Sequence, residues 1–324
     1  DQDNAEAHMR MIIGSAIAAT ALVGCASPDS VALEHRSELS AQARGVELGE
    51  NGRVSNVGMF GTTCQVTTEF AMMQDDFDYD SDQDTVVDAE TFPGQGITAV
   101  VITPDKINIT TPNLFPWSNT FEAVGVVNAQ LTDAGFVGLQ VPVQGSSCDV
   151  VWYDATGQQV ASPASLGVEC DEQSDMTTDD ASGTTWVSTN SGVVRITPDG
   201  SVLPVDDTAN ARLSWDSDAN VLYLGALGGD TVRALEIDGA LRWEVAVSGE
   251  ITALAHMGEE ANAAVSVSSS AGGELIVIDG VTGEIEADLP TPSAAMALDI
   301  SGDGRVMAVT LPNSVHYFDI LALQ

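Results

Sequence analysis

From about residue 145 onward, apolar runs of about five residues alternate with clusters of Gly, Asp, Asn and Pro, the pattern of short β-strands punctuated by tight turns. Hairpin-like units of this kind fall at 150–160, 193–203, 232–243 and 275–285, and another begins at 315–319. Aligned on the turn glycines Gly157, Gly200, Gly239 and Gly283, they recur about every 42 residues. Between them lie two further strands per repeat, 251–257 with 263–268 and 294–300 with 306–310. The signal weakens before residue 145, where 97–110 reads as one more strand pair and 54–73 as another. A period near 42 accommodates four strands and their turns, and such a unit hides its two faces only against neighbouring copies.

Three segments carry a family resemblance. VIDGVTGEI at 277–285 and LDISGDGRVMAV at 298–309 resemble the hairpin and following strand of bacterial YVTN-type β-propellers, and ALEIDGALRW at 234–243 is similar to a quinoprotein-like blade ending. In that ending a tryptophan, here Trp243, wedges between adjacent blades. The Tyr-Val-Thr-Asn string itself is absent, and one hairpin alone keeps the wedge tryptophan. The period and the resemblance together predict an all-β chain with a single WD40-like propeller over 46–324, of seven four-stranded antiparallel blades, with six the nearest alternative. Closure is expected from an N-terminal strand pairing with the last blade, drawn from 45–58, because little sequence remains after Asp319 for a fourth strand. Proteins of this fold include tethered scaffold lipoproteins, surface binding proteins, lactonases and quinone dehydrogenases. The matching motifs are architectural and leave function open.

The N-terminus speaks to location. Arg10 precedes an apolar run over 11–23 that is too short to cross a bilayer as a helix and ends in Leu22-Val23-Gly24-Cys25. This resembles a bacterial lipoprotein signal peptide, which implies cleavage before Cys25 and lipidation of that cysteine. Residues 1–24 are therefore expected to be a signal peptide, with Met9 as the start and 1–8 an over-extended reading frame. Residues 25–45 are expected to be a lipidated tether, with a short helix or mobile linker over 30–44. Ala26 after the cysteine favours outer-membrane residence in such proteins.

Charge narrows the partners. Ten Lys and Arg face 48 Asp and Glu for a net charge of -38, and Lys106 is the sole lysine. Such a field repels phosphate backbones, which excludes nucleic acid, and it matches the acidic surfaces of proteins adapted to high salt. With 44% hydrophobic residues the chain can bury a sizeable core. Beyond Cys25 the cysteines are Cys64, Cys148 and Cys170, so at most one pair forms within the chain. Cys148 with Cys170 is nearest in sequence, and Cys64 with either is the alternative.

The sharpest chemical candidate is the acidic insertion 75–90. As a loop, Asp78, Asp80, Asp82, Asp84, Asp88 and Glu90 supply the oxygen ligands that Ca2+ prefers. Gln83 stands where a calcium loop needs glycine, and Glu90 falls one place late, so the segment reads either as a weak, millimolar calcium site or as a solvated acidic insertion. His256 and His316 have no zinc-motif spacing and read as satisfied or surface histidines. Trp152, Trp186, Trp215 and Trp243 read as inter-blade wedges, whereas Trp117, in a Pro-containing loop, is the candidate partner anchor. No nucleophile elbow, phosphate-binding loop or Cys-His arrangement is present. The expectation is a monomeric, non-enzymatic binding or scaffold lipoprotein of the cell envelope whose partner is an envelope protein or glycan. The alternative is a loop-built hydrolase of the lactonase type with a metal in the central channel.

Overall fold

The structure, a computed structural model, describes residues 31–39, 55–60, 63–68, 88–91, 99–102, 106–110, 119–122 and, with short interruptions, 125–322. All the elements among them are strands. First in the chain are β1 (Val31–Leu39) and the two-stranded sheet of β2 (Ser55–Phe60) and β3 (Thr63–Thr68). Next comes a four-stranded sheet of β4 (Asp88–Thr91), β5 (Ala99–Ile102), β6 (Lys106–Thr110) and β7 (Asn119–Glu122). β8 (Val126–Thr132), β9 (Gly135–Gln140), β10 (Asp149–Asp154) and β11 (Ala164–Ser165) form another. The pattern continues with β12 (Met176–Thr178), β13 (Thr185–Thr189), β14 (Gly192–Ile196) and β15 (Val202–Asp206). After these come β16 (Ala211–Asp216), β17 (Val221–Ala226), β18 (Thr231–Glu236) and β19 (Leu241–Ala246). The next sheet holds β20 (Glu250–His256), β21 (Ala263–Ser269), β22 (Gly272–Ile278) and β23 (Ile285–Thr291). The last contains β24 (Ala297–Ile300), β25 (Val306–Leu311) and β26 (Ser314–Ala322).

Within each four-stranded sheet every neighbouring pair is antiparallel, and from β4 onward the first strand of each sheet lies beside the first strand of the next, with β2 beside β4. Successive sheets therefore share a common inner edge, the arrangement of a β-propeller. The last sheet takes its fourth strand from the other end of the chain: β1 pairs with β26, Val31 opposite Ala322 and Leu39 opposite Val315, with a bulge between His35 and Ser37. Closure by an N-terminal strand is thus present, but from 31–39 and not from 45–58. Residues 31–39, expected in a helix or tether, are strand, and Ser55–Phe60 pairs with β3 instead. The helix-favouring Ala32, Leu33 and Glu34 adopt a strand because the unpaired edge of β26 supplies a ladder that local propensity does not register.

Burial explains the apolar runs. Second strands of the sheets are enclosed by neighbouring sheets on both faces, so β13 and β25 are buried at every position and read as continuous runs with no alternation. Fourth strands β15, β19 and β23 face outward and carry mostly exposed or half-buried residues. The core is accordingly a series of seams. Val137, Trp152, Met176 and Val187 fill the seam between the β8–β11 and β12–β15 sheets. Trp186, Trp215, Leu222 and Leu224 fill the next, Tyr223, Trp243, Ile251 and Val265 the one after, and Met257, Leu275, Met307 and Phe318 the seam to the last sheet. The repeat glycines have a backbone cause: Gly157, Gly200, Gly239 and Gly283 sit at φ of 81°, 85°, 87° and 76°, which a side chain disfavours. Asp154, Asp199, Asp238 and Asp279 accept backbone N–H groups within the same turns.

A disulfide joins Cys148, just before β10, to Cys170 beyond β11, with Cα atoms 5.6 Å apart. It fastens the short outer strand β11 to a sheet on which it has only two register pairs.

Candidate functional site

Polar side chains in the seams act as ties between sheets. Asp175, immediately before β12, accepts the N–H of Met176 at 2.9 Å through one carboxylate oxygen and the N–H of Leu213, in β16, at 2.9 Å through the other. Burial pushes its carboxyl up from the usual range, and the positive field of Arg212 and these two N–H bonds oppose the shift. Thr177 Oγ1 accepts the N–H of Trp215 at 3.1 Å across the same seam, where the Trp186 and Trp215 rings stack with centroids 4.1 Å apart. Trp152 Nε1 donates to Gly183 O at 3.0 Å, and Trp243 Nε1 to Gly280 O at 2.8 Å, so both indoles are pinned to the following sheet. The Trp243 wedge is as expected, and Trp152 makes the equivalent contact without a recognisable motif.

One tie has the makings of catalytic chemistry. Ser214 Oγ, on β16, accepts the backbone N–H of His256 at 2.9 Å and lies 3.0 Å from its Nδ1. The hydroxyl can donate its proton to Nδ1, or accept from Nδ1–H through its second lone pair, while it holds the backbone N–H. Burial lowers the imidazole pKa, against the opposing charges of Asp216 and Asp218. A nucleophile needs more. Asp216 spends Oδ1 on the N–H groups of Asp218 and Ala219, at 3.0 and 2.9 Å, and its buried Oδ2 has no hydrogen-bond partner. The serine is almost wholly buried, out of reach of a substrate. The arrangement fastens two inner strands and orients no reacting group.

Among the described residues, a concavity lies where β19 passes into β20. A cavity of about 390 Å3 is lined by Asp230, Ser248, Glu250 and Ser268–Ser270. Backbone bonds from Ile251 to Gly229 at 2.7 Å and from Val247 to Asp230 at 2.8 Å hold its floor, and Ser248 is hydrogen-bonded to Glu274. It presents hydroxyls and carboxylates, with no imidazole, thiol, amine or aromatic ring among its lining residues.

Sequence candidates are scattered relative to this cavity. Cys25, Asp78, Asp80, Asp82, Asp84 and Trp117 lie outside the described residues. Asp88 and Glu90, expected in a loop, are in β4, opposite Ile102 and Val100. Strand pairing there holds their backbones extended. Among the described residues no three His, Cys, Asp or Glu side chains gather as a metal site, and no helix is long and apolar enough to cross a membrane. Sequence reasoning missed Asp175, Ser214 and the serine-lined cavity. A usable signal existed: Asp175 to Leu213 and Thr177 to Trp215 are 38 positions apart, Ser214 to His256 is 42, and Trp243 to Gly280 is 37. Each tie joins residues about one repeat apart.

No family model matches the chain, and no curated protein matches it either. Solved structures do. A chain of the mitotic checkpoint complex superposes with a TM-score of 0.70 at 11% identity, covering 88% of this chain and 91% of that one. BBS1N, solved in complex with ARL6DN and soaked with lead, gives 0.67 at 14% identity, covering 90% of this chain and 99% of its own. The mercury-soaked form of the same complex gives 0.63 at 14% identity, with the same coverage. At these identities the likeness concerns fold alone, and the fold is a WD40-like β-propeller.

Proposed function

We propose that this chain is a non-enzymatic binding scaffold of the bacterial cell envelope, a propeller held at the outer membrane by a lipid on Cys25 and presenting its surface to an envelope protein or glycan. The observation that carries the reading is the use of its reactive groups: Asp175, Ser214, His256 and the indoles of Trp152 and Trp243 are spent on bonds between sheets. What is left at the surface is charge, hydroxyls and apolar side chains, the means of recognition. Both similar folds come from structures titled as complexes of proteins, which agrees with a scaffold role. In this reading β2 and β3 belong to one blade of a seven-bladed ring, the remaining six being the four-stranded sheets.

Fractionation tests the anchor. Wild-type chain is expected in the membrane fraction and the Cys25→Ser variant in the soluble one; membrane retention of the variant would contradict it. A pull-down from native envelope at low salt tests the scaffold. Recovery of a discrete protein or glycan supports it, whereas metal-dependent lactone hydrolysis with no captured partner would favour a channel-centred hydrolase.

A further inference from the structure

The outer rim carries an apolar row that the fold does not use. Leu203 in β15, Ile237 in the β18–β19 turn, Leu241 opening β19, Val281 in the β22–β23 turn and Ile285 opening β23 are exposed by 47, 43, 57, 67 and 47%. Ile237 and Val281, two residues before the turn glycines, and Leu241 and Ile285, two residues after them, occupy equivalent places in successive repeats, with Leu203 one position past Val202, their counterpart in the repeat before; inter-sheet contacts link the three repeats. Arg195, the register partner of Leu203, donates Nη1 to Ile237 O at 2.6 Å. Gly239 packs on Val205, with room for no more than a tight Cβ, so the β18–β19 turn sits on β15. One seam further on, Trp243 bonds Gly280, the neighbour of Val281, and a Cβ on Gly283 would lie 2.9 Å from the indole. Leu203 and Ile237 therefore flank one seam, with Leu241 paired to Leu235 of that same seam, and Val281 and Ile285 flank the next, where Trp243 bonds Gly280.

Carboxylates border this row at every repeat: Asp199, Asp238, Asp279 and Glu284. Thr197, donating its hydroxyl, and the N–H of Ser201 hold the Asp199 carboxyl below its usual range, so it stays ionised. Of the nearby cations, Arg242 is committed to Glu236 at 2.8 Å. A surface both apolar and negative, on a chain of net charge -38, repels a second copy, anionic lipid and nucleic acid. It complements a segment that is apolar on one side and basic on its flanks. We propose that this rim docks a basic amphipathic segment of a partner protein, its apolar side chains covering Leu203 to Ile285 and its Lys or Arg residues meeting the bordering carboxylates. This rests on the scaffold reading and assigns it a surface and a partner chemistry.

The test titrates the full-length chain at low salt, by fluorescence anisotropy, with a labelled amphipathic Leu/Lys helical peptide and with a scrambled peptide of the same composition. The ordered peptide is expected to bind saturably and about tenfold more tightly than the scrambled one, and the double variant Leu241→Ser/Val281→Ser to lose about tenfold. Ser269→Ala, in the cavity at the β21–β22 turn, is expected to leave binding unchanged. Equal binding of both peptides, or the same affinity in the double variant, would reduce the contact to net charge and overturn the proposal, as would no binding at all. Concentration-dependent dimerisation abolished by the double variant would assign the rim to a second copy and overturn it too. Failure of the rim is separable from failure of the scaffold: envelope partners retained equally by the double variant would leave the scaffold standing and remove the rim.

Discussion

The inner seams and the outer rim of this propeller are made from the same repeat yet use opposite chemistry. At the seam between the β12–β15 and β16–β19 sheets, Trp186 is fully buried against Trp215, and Asp175 and Thr177 reach across to backbone N–H groups. At the rim, Leu241 and Val281 from neighbouring repeats stand in solvent among carboxylates. A seam position contributes stability chiefly because its side chain leaves water: Asp175 and Thr177 find partners there, whereas the indole N–H groups of Trp186 and Trp215 do not. A rim position contributes little to folding and is free to be selected for recognition. Reactive residue types are therefore a poor guide to function here, since the seam consumes them.

That contrast is broken most severely by removing the closure. Deletion of 31–39 exposes the edge of β26 and uncovers the last sheet, where Leu33 packs beside Phe318 and Met307, and loss of the cooperative thermal transition is the expected result. Trp186→Ala opens a cavity in a seam and should cost about 3–5 kcal/mol in chemical denaturation, the range for burying and then deleting a large aromatic. Cys148→Ser releases a loop spanned by a sequence separation of 22 and should cost about 3 kcal/mol by the same measurement.

His256 supplies a pH-dependent test of the seam. Burial holds its imidazole below the usual value, so the folded chain binds the proton more weakly than the unfolded chain. Stability from this group is complete above the unfolded value of 6.5 and is lost as pH falls from there through the folded pKa. Wild-type Tm is expected to fall relative to His256→Gln between pH 7.5 and 5; parallel profiles would remove the histidine from the seam's energetics. The smallest effect belongs to the rim, where Leu241→Ser should change stability by no more than about 0.5 kcal/mol.

Much of the seam architecture is legible in the sequence because it is repeated. Gly157, Gly200, Gly239 and Gly283 mark the turns, and the runs that became β17 and β25 are mostly apolar on both faces because sheets cover both. Two features escaped local reading for a shared reason. The pairing of Val31 with Ala322 and the reach of Ser214 to His256 are long-range choices, made by an available edge or an adjacent sheet, and neither residue's neighbours encode them. The end of the acidic segment differs for the same kind of reason: alternating carboxylates suggest a loop by composition, yet Asp88 and Glu90 lie where β5 captures the chain as strand. Exposed Leu241 and Val281 look in sequence like ordinary strand and turn residues, and only their place on the rim of neighbouring sheets gives them a meaning.

Native-state hydrogen exchange, followed with and without the basic amphipathic peptide, tests the division between seam and rim most directly. The account predicts slow exchange in β13, β17, β21 and β25 that the peptide leaves unchanged, with new protection confined to β15, β19, β23 and their preceding turns. Protection gained instead in the cavity lined by Asp230, Glu250 and Ser268–Ser270, or fast exchange in the seam strands, would contradict it.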